Sequence, residues 1–469
     1  MSAASAYRAV WRWHFYAGLF CIPFIIFLSV TGGMYLFKPQ VEAWLDRPYD
    51  TLTTVQSAPP SQVVQAALAA YPGYVFNAYE LPQTPHSAAR VLIGHEGKQL
   101  RVYVDRGNLH ILQSVSEDQR VMKVISRLHG ELLAGDVGSN IVELAASWAI
   151  VMILTGLYLW WPRGARGLGG ILYPRLNGNK RQFWRDVHGV TGFWVSAFAL
   201  FMLVSGLPWA KNWGGYLKDI RQITGTANAN QDWTTGRSSE IAQRKSMDAA
   251  GVASMGTMPG MARSGGDDHS DHAEHRSHRY DGIKLSPEAL KALDRVTPIV
   301  AALNLAYPVL ISPPSKLGAP WKGKSDAQNR PLRVDLKLDP KTGAVVGRTD
   351  FAQRNIIDRI VGTAVAAHEG QLFGWANQLL GLLTALSLIT VSISAVVMWW
   401  RRRAIGVLGA PAALGHSRFS LGLWALVTLI GVLLPEFGLS LIAVVLGEYL
   451  VLRRIPATSK WLGLEAARA

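Results

Sequence analysis

Four long apolar segments constrain this chain more than any other feature. They are Phe15–Phe37, Ile141–Trp161, Phe183–Trp209 and Gly374–Trp400. Each approaches or exceeds the roughly 20 residues that a helix needs to cross the hydrocarbon core of a bilayer. Lipid offers no partner for an unpaired backbone group, so such segments span a membrane as helices. The sequence therefore predicts a mainly α membrane protein.

The segments are related in pairs, and the relation extends to histidines near their ends. A shift of 174 residues places His14 on His188, and a shift of 239 residues places His129 on His368. The same shifts align Gly18 with Gly192, Phe24 with Phe198, Gly135 with Gly374, and Trp160-Trp161 with Trp399-Trp400. Two matched histidine pairs with shared landmarks indicate an internal duplication.

The four histidines are candidate metal ligands. Two imidazoles from facing helices can hold one haem iron, so we expect His14 with His188 on one haem and His129 with His368 on a second. The chain has one cysteine, Cys21, and no C-x-x-C-H motif, which predicts two non-covalent haem b groups and excludes an intrachain disulfide. No catalytic residue beyond the haem ligands is predicted. Methionine is the alternative axial ligand, from Met34, Met122, Met152, Met202 or Met398.

Two arginines lie close before the inner histidines. Arg12 and Arg185 could pair with haem propionates, since guanidinium binds carboxylates in a bidentate manner. Both also fit the enrichment of basic residues on the cytoplasmic side of membrane proteins. The sequence leaves both interpretations open.

The net charge of +15 lies beside the apolar segments. This distribution points to membrane lipid rather than nucleic acid as the partner of the basic residues, and it places both termini in the cytoplasm. No nucleotide-binding or hydrolase motif is present. Electrons would then come from a separate donor, either a quinol or a cytoplasmic reductase.

The predicted architecture is a duplicated unit of helix, periplasmic α+β domain and helix. Its four helices form a haem-binding bundle, and a C-terminal helical hairpin follows. The helices are expected at 1–37, 139–161, 183–209 and 373–400, the periplasmic domains at 38–138 and 210–372, the cytoplasmic basic loops at 162–182 and 401–418, the hairpin at 419–452 and a cytoplasmic tail at 453–469. A re-entrant pair is the alternative to the hairpin.

Each periplasmic domain carries local structure signals. In the first, Ser61–Ala70 is helix-like, and strands at Gln99–Val104 and Leu109–Gln113 flank a turn. In the second, Leu332–Leu338 and Ala344–Arg348 flank a similar turn. A helix-like run leads from each hairpin into its histidine.

Residues 223–283 form a predicted disordered insertion rich in Ser, Gly, Asp and Ala. Its methionines and histidines could bind copper or another transition metal, or the segment could be a solvated linker. The candidate ligands are Met255, Met258, Met261, His269, His272, His275 and His278.

Helix length predicts the depth of the outer pair. A continuous helix from His129 to Trp160 would be about 46 Å long at 1.5 Å per residue. The hydrocarbon core is only about 30 Å thick, so His129 and His368 are expected at or above the outer interface. A bend at Gly135–Gly138 is the alternative that would bring His129 deeper.

Several of these segments resemble the PepSY-associated transmembrane family. The resemblance covers nearly the whole chain and rests on Trp13-His14-Phe15-Tyr16-Ala17-Gly18, Asp186-Val187-His188-Gly189-Val190-Thr191-Gly192, Leu128-His129-Gly130-Glu131 and Leu434-Pro435-Glu436-Phe437-Gly438. It implies a bacterial inner-membrane protein with two b-type haems that reduces ferric siderophores or other ferric chelates in the periplasm. The Met/His-rich insertion departs from the compact pattern of the family.

Two other functions stay open at this point. The chain could handle or reduce copper through its Met/His-rich segment. It could also be a haem-free sensor or interaction module, since small periplasmic domains of this type can act as inhibitors.

Overall fold

A computed structural model describes residues 3–53, 57–162, 167–177, 179–226, 285–314, 318–411 and 421–464. The chain divides into two compact units. The membrane unit comprises residues 1–36, 128–220 and 378–469, and the sheet unit comprises residues 37–127 and 221–377. The candidate copper ligands at 255–278 lie outside the described residues.

The helices of the described residues include long apolar spans and shorter elements. In chain order they are α1 (Ala3–Leu36), α2 (Lys38–Asp46), α3 (Pro60–Ala70), α4 (Val121–Glu131), α5 (Gly135–Trp160), α6 (Lys180–Gly206), α7 (Lys211–Ile223), α8 (Pro287–Ala302), α9 (Ile356–His368), α10 (Trp375–Arg402), α11 (Leu421–Leu433), α12 (Pro435–Gly447) and α13 (Pro456–Leu462).

Five helical segments in this part of the chain are long and apolar enough to cross a membrane. Four of them, α1, α5, α6 and α10, coincide with the four predicted spans. In the bundle α1 packs along α5, and α5 packs along α6. We call the end near Leu36, Gly135 and Gly206 the loop end, because the long connections begin there, and the opposite end the basic end.

The C-terminal hairpin packs against this bundle. The fifth spanning segment is α12 with its π-helical continuation, Pro435–Leu452, while α11 has only 13 residues. At the loop end, the indole N–H of Trp213 donates to Leu433 O at 3.0 Å. Towards the basic end, the Tyr16 hydroxyl donates to Leu462 O. Leu462 lies in α13, beyond the hairpin, so the choice between a spanning hairpin and a re-entrant pair stays a prediction.

The connection between α4 and α5 is a sharp elbow rather than a continuous helix. Leu132 and Leu133 have φ angles of 51° and 56°, in the left-handed region that L residues rarely adopt. A Cβ on Gly138 would lie 1.7 Å from Glu131 O, so the elbow requires glycine there. The length argument that placed His129 at or above the outer interface assumed a continuous helix and is therefore wrong for this residue.

Among the described residues, the sheet unit has eight antiparallel strands in one sheet. They are β1 (Val75–Glu80), β2 (Ala89–His95), β3 (Lys98–Val104), β4 (Ile111–Ser116), β5 (Val309–Ser312), β6 (Trp321–Ser325), β7 (Val334–Leu338) and β8 (Val345–Asp350). Their order is β4-β3-β2-β1-β5-β6-β7-β8, and Tyr79 of β1 pairs with Ile311 of β5. The palindromic order reflects the duplication.

The two loops thus form one folded body, where the sequence predicts two separate domains. Helices α3 and α8 pack against each other and share a single core with both halves of the sheet. Trp321 and Phe76, from different halves, lie with ring centroids 6.3 Å apart in this core. Pairing β1 with β5 removes one open strand edge from each half, which explains why the halves join there.

Candidate functional site

His14 of α1 and His188 of α6 face each other inside the membrane unit. Their ring centroids lie 6.4 Å apart, and the ring planes are nearly perpendicular at 82°. Both side chains are partly buried. The structure therefore brings together the first predicted ligand pair, from two helices that belong to different repeats.

The His14 ring is held by the neighbouring helix α5. His14 Nδ1 lies 3.0 Å from Thr155 Oγ1. The Thr155 hydroxyl donates its own proton to Val151 O or Met152 O, at 2.9 and 3.0 Å, so its oxygen accepts from His14. His14 Nδ1 then carries the proton, an assignment made from the hydrogen bonds, and Nε2 keeps its lone pair.

The His188 ring is held in the same way by α10. His188 Nδ1 lies 3.0 Å from Val391 O and 3.2 Å from Ser394 Oγ. A carbonyl oxygen can only accept, so His188 Nδ1 is also the protonated nitrogen. Ligating histidines almost always donate their second ring N–H to such a partner. Both rings thus have the hydrogen bonds of metal ligands with Nε2 available.

The distance between the rings fits one iron between them. Two imidazoles that share one metal ion, with metal–nitrogen bonds of about 2.0–2.1 Å, would have ring centres up to roughly 6 Å apart. The observed 6.4 Å agrees with that separation. The two rings therefore lie close enough to be ligands of one metal ion.

Two glycines leave room beside these rings. Gly18 and Gly192 lie four residues after His14 and His188, on the same helix faces. A Cβ on Gly192 would meet nothing within 4 Å, and one on Gly18 would meet only Met152 Sδ, at 3.8 Å. A flat macrocycle ligated by the two histidines would need such bare helix surface.

His129 lies against α1 near the loop end of the bundle. Its Nδ1 is 3.0 Å from Thr31 Oγ1, and the Thr31 hydroxyl donates to Phe27 O at 2.9 Å. A Cβ on Gly32 would lie 3.0 Å from His129 Cε1, so glycine makes space for the ring. Thr31 and His14 are 17 residues apart on α1, which corresponds to about 25 Å along the helix axis.

His368 is the last residue of α9 and belongs to the sheet unit. The next residue, Glu369, forms an ion pair with Arg330 at 3.1 Å. Burial alone would raise the pKa of Glu369, but the charges of Arg330 and Lys38 lower it below its usual value. The structure describes His129 and His368 in separate units, so their pairing stays a prediction.

The two candidate propionate ligands have protein partners. Arg12 Nη1 donates to Gly463 O at 3.0 Å and to Pro411 O, and Nη2 donates to Tyr16 Oη. Arg185 is exposed and lies 3.2 Å from the buried Asp186, which Arg175 binds with two further hydrogen bonds. These contacts fix the C-terminal segment and the basic-end loop.

Sequence reasoning missed the groups that hold the histidines. The shifts that relate the histidines also relate these groups: a shift of 174 places Thr31 on Ser205, and a shift of 239 places Thr155 on Ser394. The carbonyl positions Met152 and Val391 match under the second shift as well. Extending the alignment to small hydroxyl residues would have found them.

The sheet unit holds a buried ionic cluster of its own. Glu80, on the last position of β1, contacts Arg101, Arg90 and the Tyr307 hydroxyl. Burial and the Glu80 charge raise the pKa of Tyr307. Because Tyr307 comes from the second loop, the cluster ties the two halves of the sheet together. Within the described ranges, no three His, Cys, Asp or Glu side chains are grouped as metal ligands.

Comparison with known proteins agrees with the motifs in the sequence. The sequence model of one protein family, described as the PepSY-associated TM region, matches residues 11–402. The match covers more than four fifths of the chain and contains all four candidate histidines. No curated protein matches the chain.

Proposed function

Because the chain belongs to the PepSY-associated transmembrane family, we propose that it is a di-haem b electron-transfer protein of the bacterial inner membrane. Its substrate is a ferric siderophore or another ferric chelate in the periplasm. The reaction adds one electron to Fe³⁺ and leaves Fe²⁺, which hard oxygen ligands bind less tightly.

The observation that carries the proposal is the geometry of His14 and His188. Their ring centroids lie 6.4 Å apart, and both Nδ1 atoms are turned to hydrogen-bond acceptors on other helices. A histidine that merely fills a helix interface needs neither feature. Their match across an internal repeat supports the same conclusion.

The second haem is proposed on the repeat and on His129. The hydrogen bond of His129 to Thr31 has the same form as that of His14 to Thr155. The repeat assigns His368 as the second ligand. Haem at both positions would supply one-electron carriers at two depths, with electrons received from a quinol or a cytoplasmic reductase.

The residues of the chain contribute position and insulation. Thr155, Val391 and Ser394 hold the two imidazoles so that their Nε2 atoms stay unprotonated. The four long helices keep water away from the centre, because their apolar residues face lipid or one another. Thr31, which contacts His129, lies about 25 Å along α1 from His14.

The first experiment is a haem count on the purified full-length protein. A pyridine haemochrome assay should give close to two b-type haems per chain. His14→Ala and His188→Ala should each remove the same haem and leave the other, whereas His110→Ala, at an exposed position in the sheet unit, should keep both. No haem would favour a haem-free interaction module, and one haem in the parental protein would contradict the duplicated site.

The second stage measures electron transfer to the substrate. Dithionite-reduced protein should be reoxidised by a ferric siderophore, with ferrous iron trapped by a chelating dye. His129→Ala and His368→Ala should lose this transfer while the His14/His188 haem stays reducible. Reoxidation by Cu²⁺ but not by ferric chelates would favour copper reduction instead.

A further inference from the structure

Three hydroxyl groups hold three of the four candidate ligands, and their arrangement follows a rule. Thr31 of α1 contacts His129 of α4, and Thr155 of α5 contacts His14 of α1. In the second repeat, Ser394 of α10 contacts His188 of α6. Each ligand is therefore held from within its own repeat, whereas His14 and His188, from different repeats, face each other.

Each of the three hydroxyl groups has an acceptor for its proton within its own helix. Thr31, Thr155 and Ser394 each donate to the carbonyl three or four residues earlier, namely Phe27 O at 2.9 Å, Val151 O at 2.9 Å and Val391 O at 2.8 Å. Each oxygen is left with lone pairs pointing away from its helix. With the hydroxyl protons so assigned, the neutral imidazole nitrogen that meets each oxygen is assigned as the protonated one.

Small residues beside these hydroxyls allow the rings to approach. Gly32 follows Thr31 and Gly156 follows Thr155, and a Cβ at either glycine would lie within 3.1 Å of the histidine Cε1. The matching position after Ser394 is Ala395. Ser205, which matches Thr31, also bonds to its own helix, at Met202 O and 3.2 Å. The pairing of a hydroxyl with a small residue is thus part of the repeated unit.

We propose that Thr31, Thr155 and Ser394 are positioning residues that fix the Nδ1–H tautomer of His129, His14 and His188 and so set the electron affinity of the iron at each site. An accepted hydrogen bond at Nδ1–H makes the imidazole more basic and a stronger donor through Nε2. Stronger donation favours Fe³⁺ over Fe²⁺. Removing the acceptor should therefore raise the reduction potential of that site and no other.

The part of this inference that concerns iron rests on the proposed function, and the tautomer part does not. The first test is a spectroelectrochemical titration of the full-length, haem-loaded protein. Thr155→Val should shift the midpoint of the His14/His188 haem upward and leave the other midpoint unchanged. Thr31→Val should do the reverse, and Thr155→Ser, which keeps the hydroxyl, should restore the parental value.

Matched controls come from two threonines whose hydrogen bonds, within the described residues, are to their own helix and to no histidine. The hydroxyls of Thr384 and Thr390 on α10 donate to Leu380 O and Leu386 O, the same type of bond within a helix. Thr384→Val and Thr390→Val should move neither midpoint. Equal shifts in Thr155→Val and Thr384→Val, or a Thr155→Ser variant that behaves like Thr155→Val, would overturn the proposal.

The second test needs no haem. In full-length protein prepared without haem and labelled with ¹⁵N-histidine, His14, His129 and His188 should give the chemical shifts of Nδ1–H imidazoles. Thr155→Val should change the His14 pattern and leave that of His129. If the parental rings are Nε2–H tautomers the inference fails, whether or not haem binds. If they are Nδ1–H and no haem binds, only the proposed function fails.

Discussion

At the scale of single residues, Gly192 offers the sharpest test of the space beside the candidate ligands. A Cβ there would meet nothing within 4 Å. In Gly192→Leu, the side chain should occupy the surface that a macrocycle needs, and the haem absorbance of the His14/His188 site should be lost. Stability should not fall, because replacing glycine within a helix gains about 1 kcal/mol of helix propensity.

The control is Gly422→Leu, on α11, where a Cβ would also meet open space. This variant should keep the full haem content in the pyridine haemochrome assay and a parental thermal midpoint in detergent. Normal haem content in Gly192→Leu would show that lipid, and not haem, fills the open space at Gly192.

The histidines could be predicted from the sequence, whereas the groups that hold them could be found only by following the same two shifts to small hydroxyl residues. A histidine in an apolar segment is conspicuous, and the two shifts relate all four. Thr31 and Thr155 are small residues that an apolar helix tolerates anywhere, and their partners lie 98 and 141 residues away. Only the three-dimensional contact shows that their oxygens accept from imidazole.

At the scale of elements, a buried carboxylate anchors the start of α7. Glu143 of α5 is 2% exposed, and its two oxygens accept the backbone N–H groups of Asn212 and Trp213, each at 2.8 Å. These are the second and third residues of α7, whose N–H groups have no partner within the helix. The negative charge of the carboxylate also stabilises the helix, because it lies beside the positive, N-terminal end of the helix dipole.

We expect Glu143→Gln to loosen the first turn of α7. The amide oxygen can accept from only one of the two backbone N–H groups, and the amide N–H₂ group faces the other. Leaving this buried N–H group unsatisfied should cost about 1–3 kcal/mol of stability. Hydrogen exchange should accelerate at the start of α7. Asp136→Asn is the control, because Asp136 pairs with Lys211 at 2.7 Å but is 41% exposed. Its effect should stay within about 1 kcal/mol. Equal acceleration in both variants would contradict capping by Glu143.

Secondary structure was predictable where its pattern was local. The hairpins β3–β4 and β7–β8 were predicted from alternation around a turn, and the helix α3 from its composition. Strand β2 was not predicted, because it is buried along most of its length and its residues do not alternate between buried and exposed positions. The glycines at 135 and 138 signal a possible bend, but the positive φ angles of Leu132 and Leu133 have no local signal, since leucine disfavours a positive φ.

At the scale of the whole molecule, the shared core makes the two loops interdependent. Trp321 of β6 is 2% exposed and lies beside Phe76 of β1. Trp321→Ala should destabilise the sheet unit by about 3–5 kcal/mol, in the range of large-to-small core substitutions. Hydrogen exchange should then accelerate in β1–β3 as well as in β5–β7.

Trp44→Ala serves as the control, because Trp44 is 72% exposed in α2 of the same unit. It should leave exchange in all eight strands near the parental rate. Acceleration confined to β5–β8 in Trp321→Ala would mean that the two halves fold as independent domains, as the sequence alone suggests.

The duplication could be predicted, but the sheet that it builds could not. The repeat relates the halves of the chain without specifying whether they touch. The two halves of the sheet are joined by the pairing of Tyr79 with Ile311, which are more than 200 residues apart. No local pattern encodes a pairing at that separation, because either strand would alternate in the same way at a free edge.

Strand β5 is synthesised long after its partner β1, and this delay has a consequence for biosynthesis. When β1 leaves the ribosome, its partner strand has not been made, and at about 5–20 residues per second it follows roughly 10–50 s later. During that time β1 is the edge strand of a half-sheet. Its unpaired backbone N–H and C=O groups can pair with any other extended chain. The nascent protein must therefore be protected from aggregation until its second half has been synthesised. Overexpression that exceeds this protection should yield inclusion bodies before it yields membrane protein.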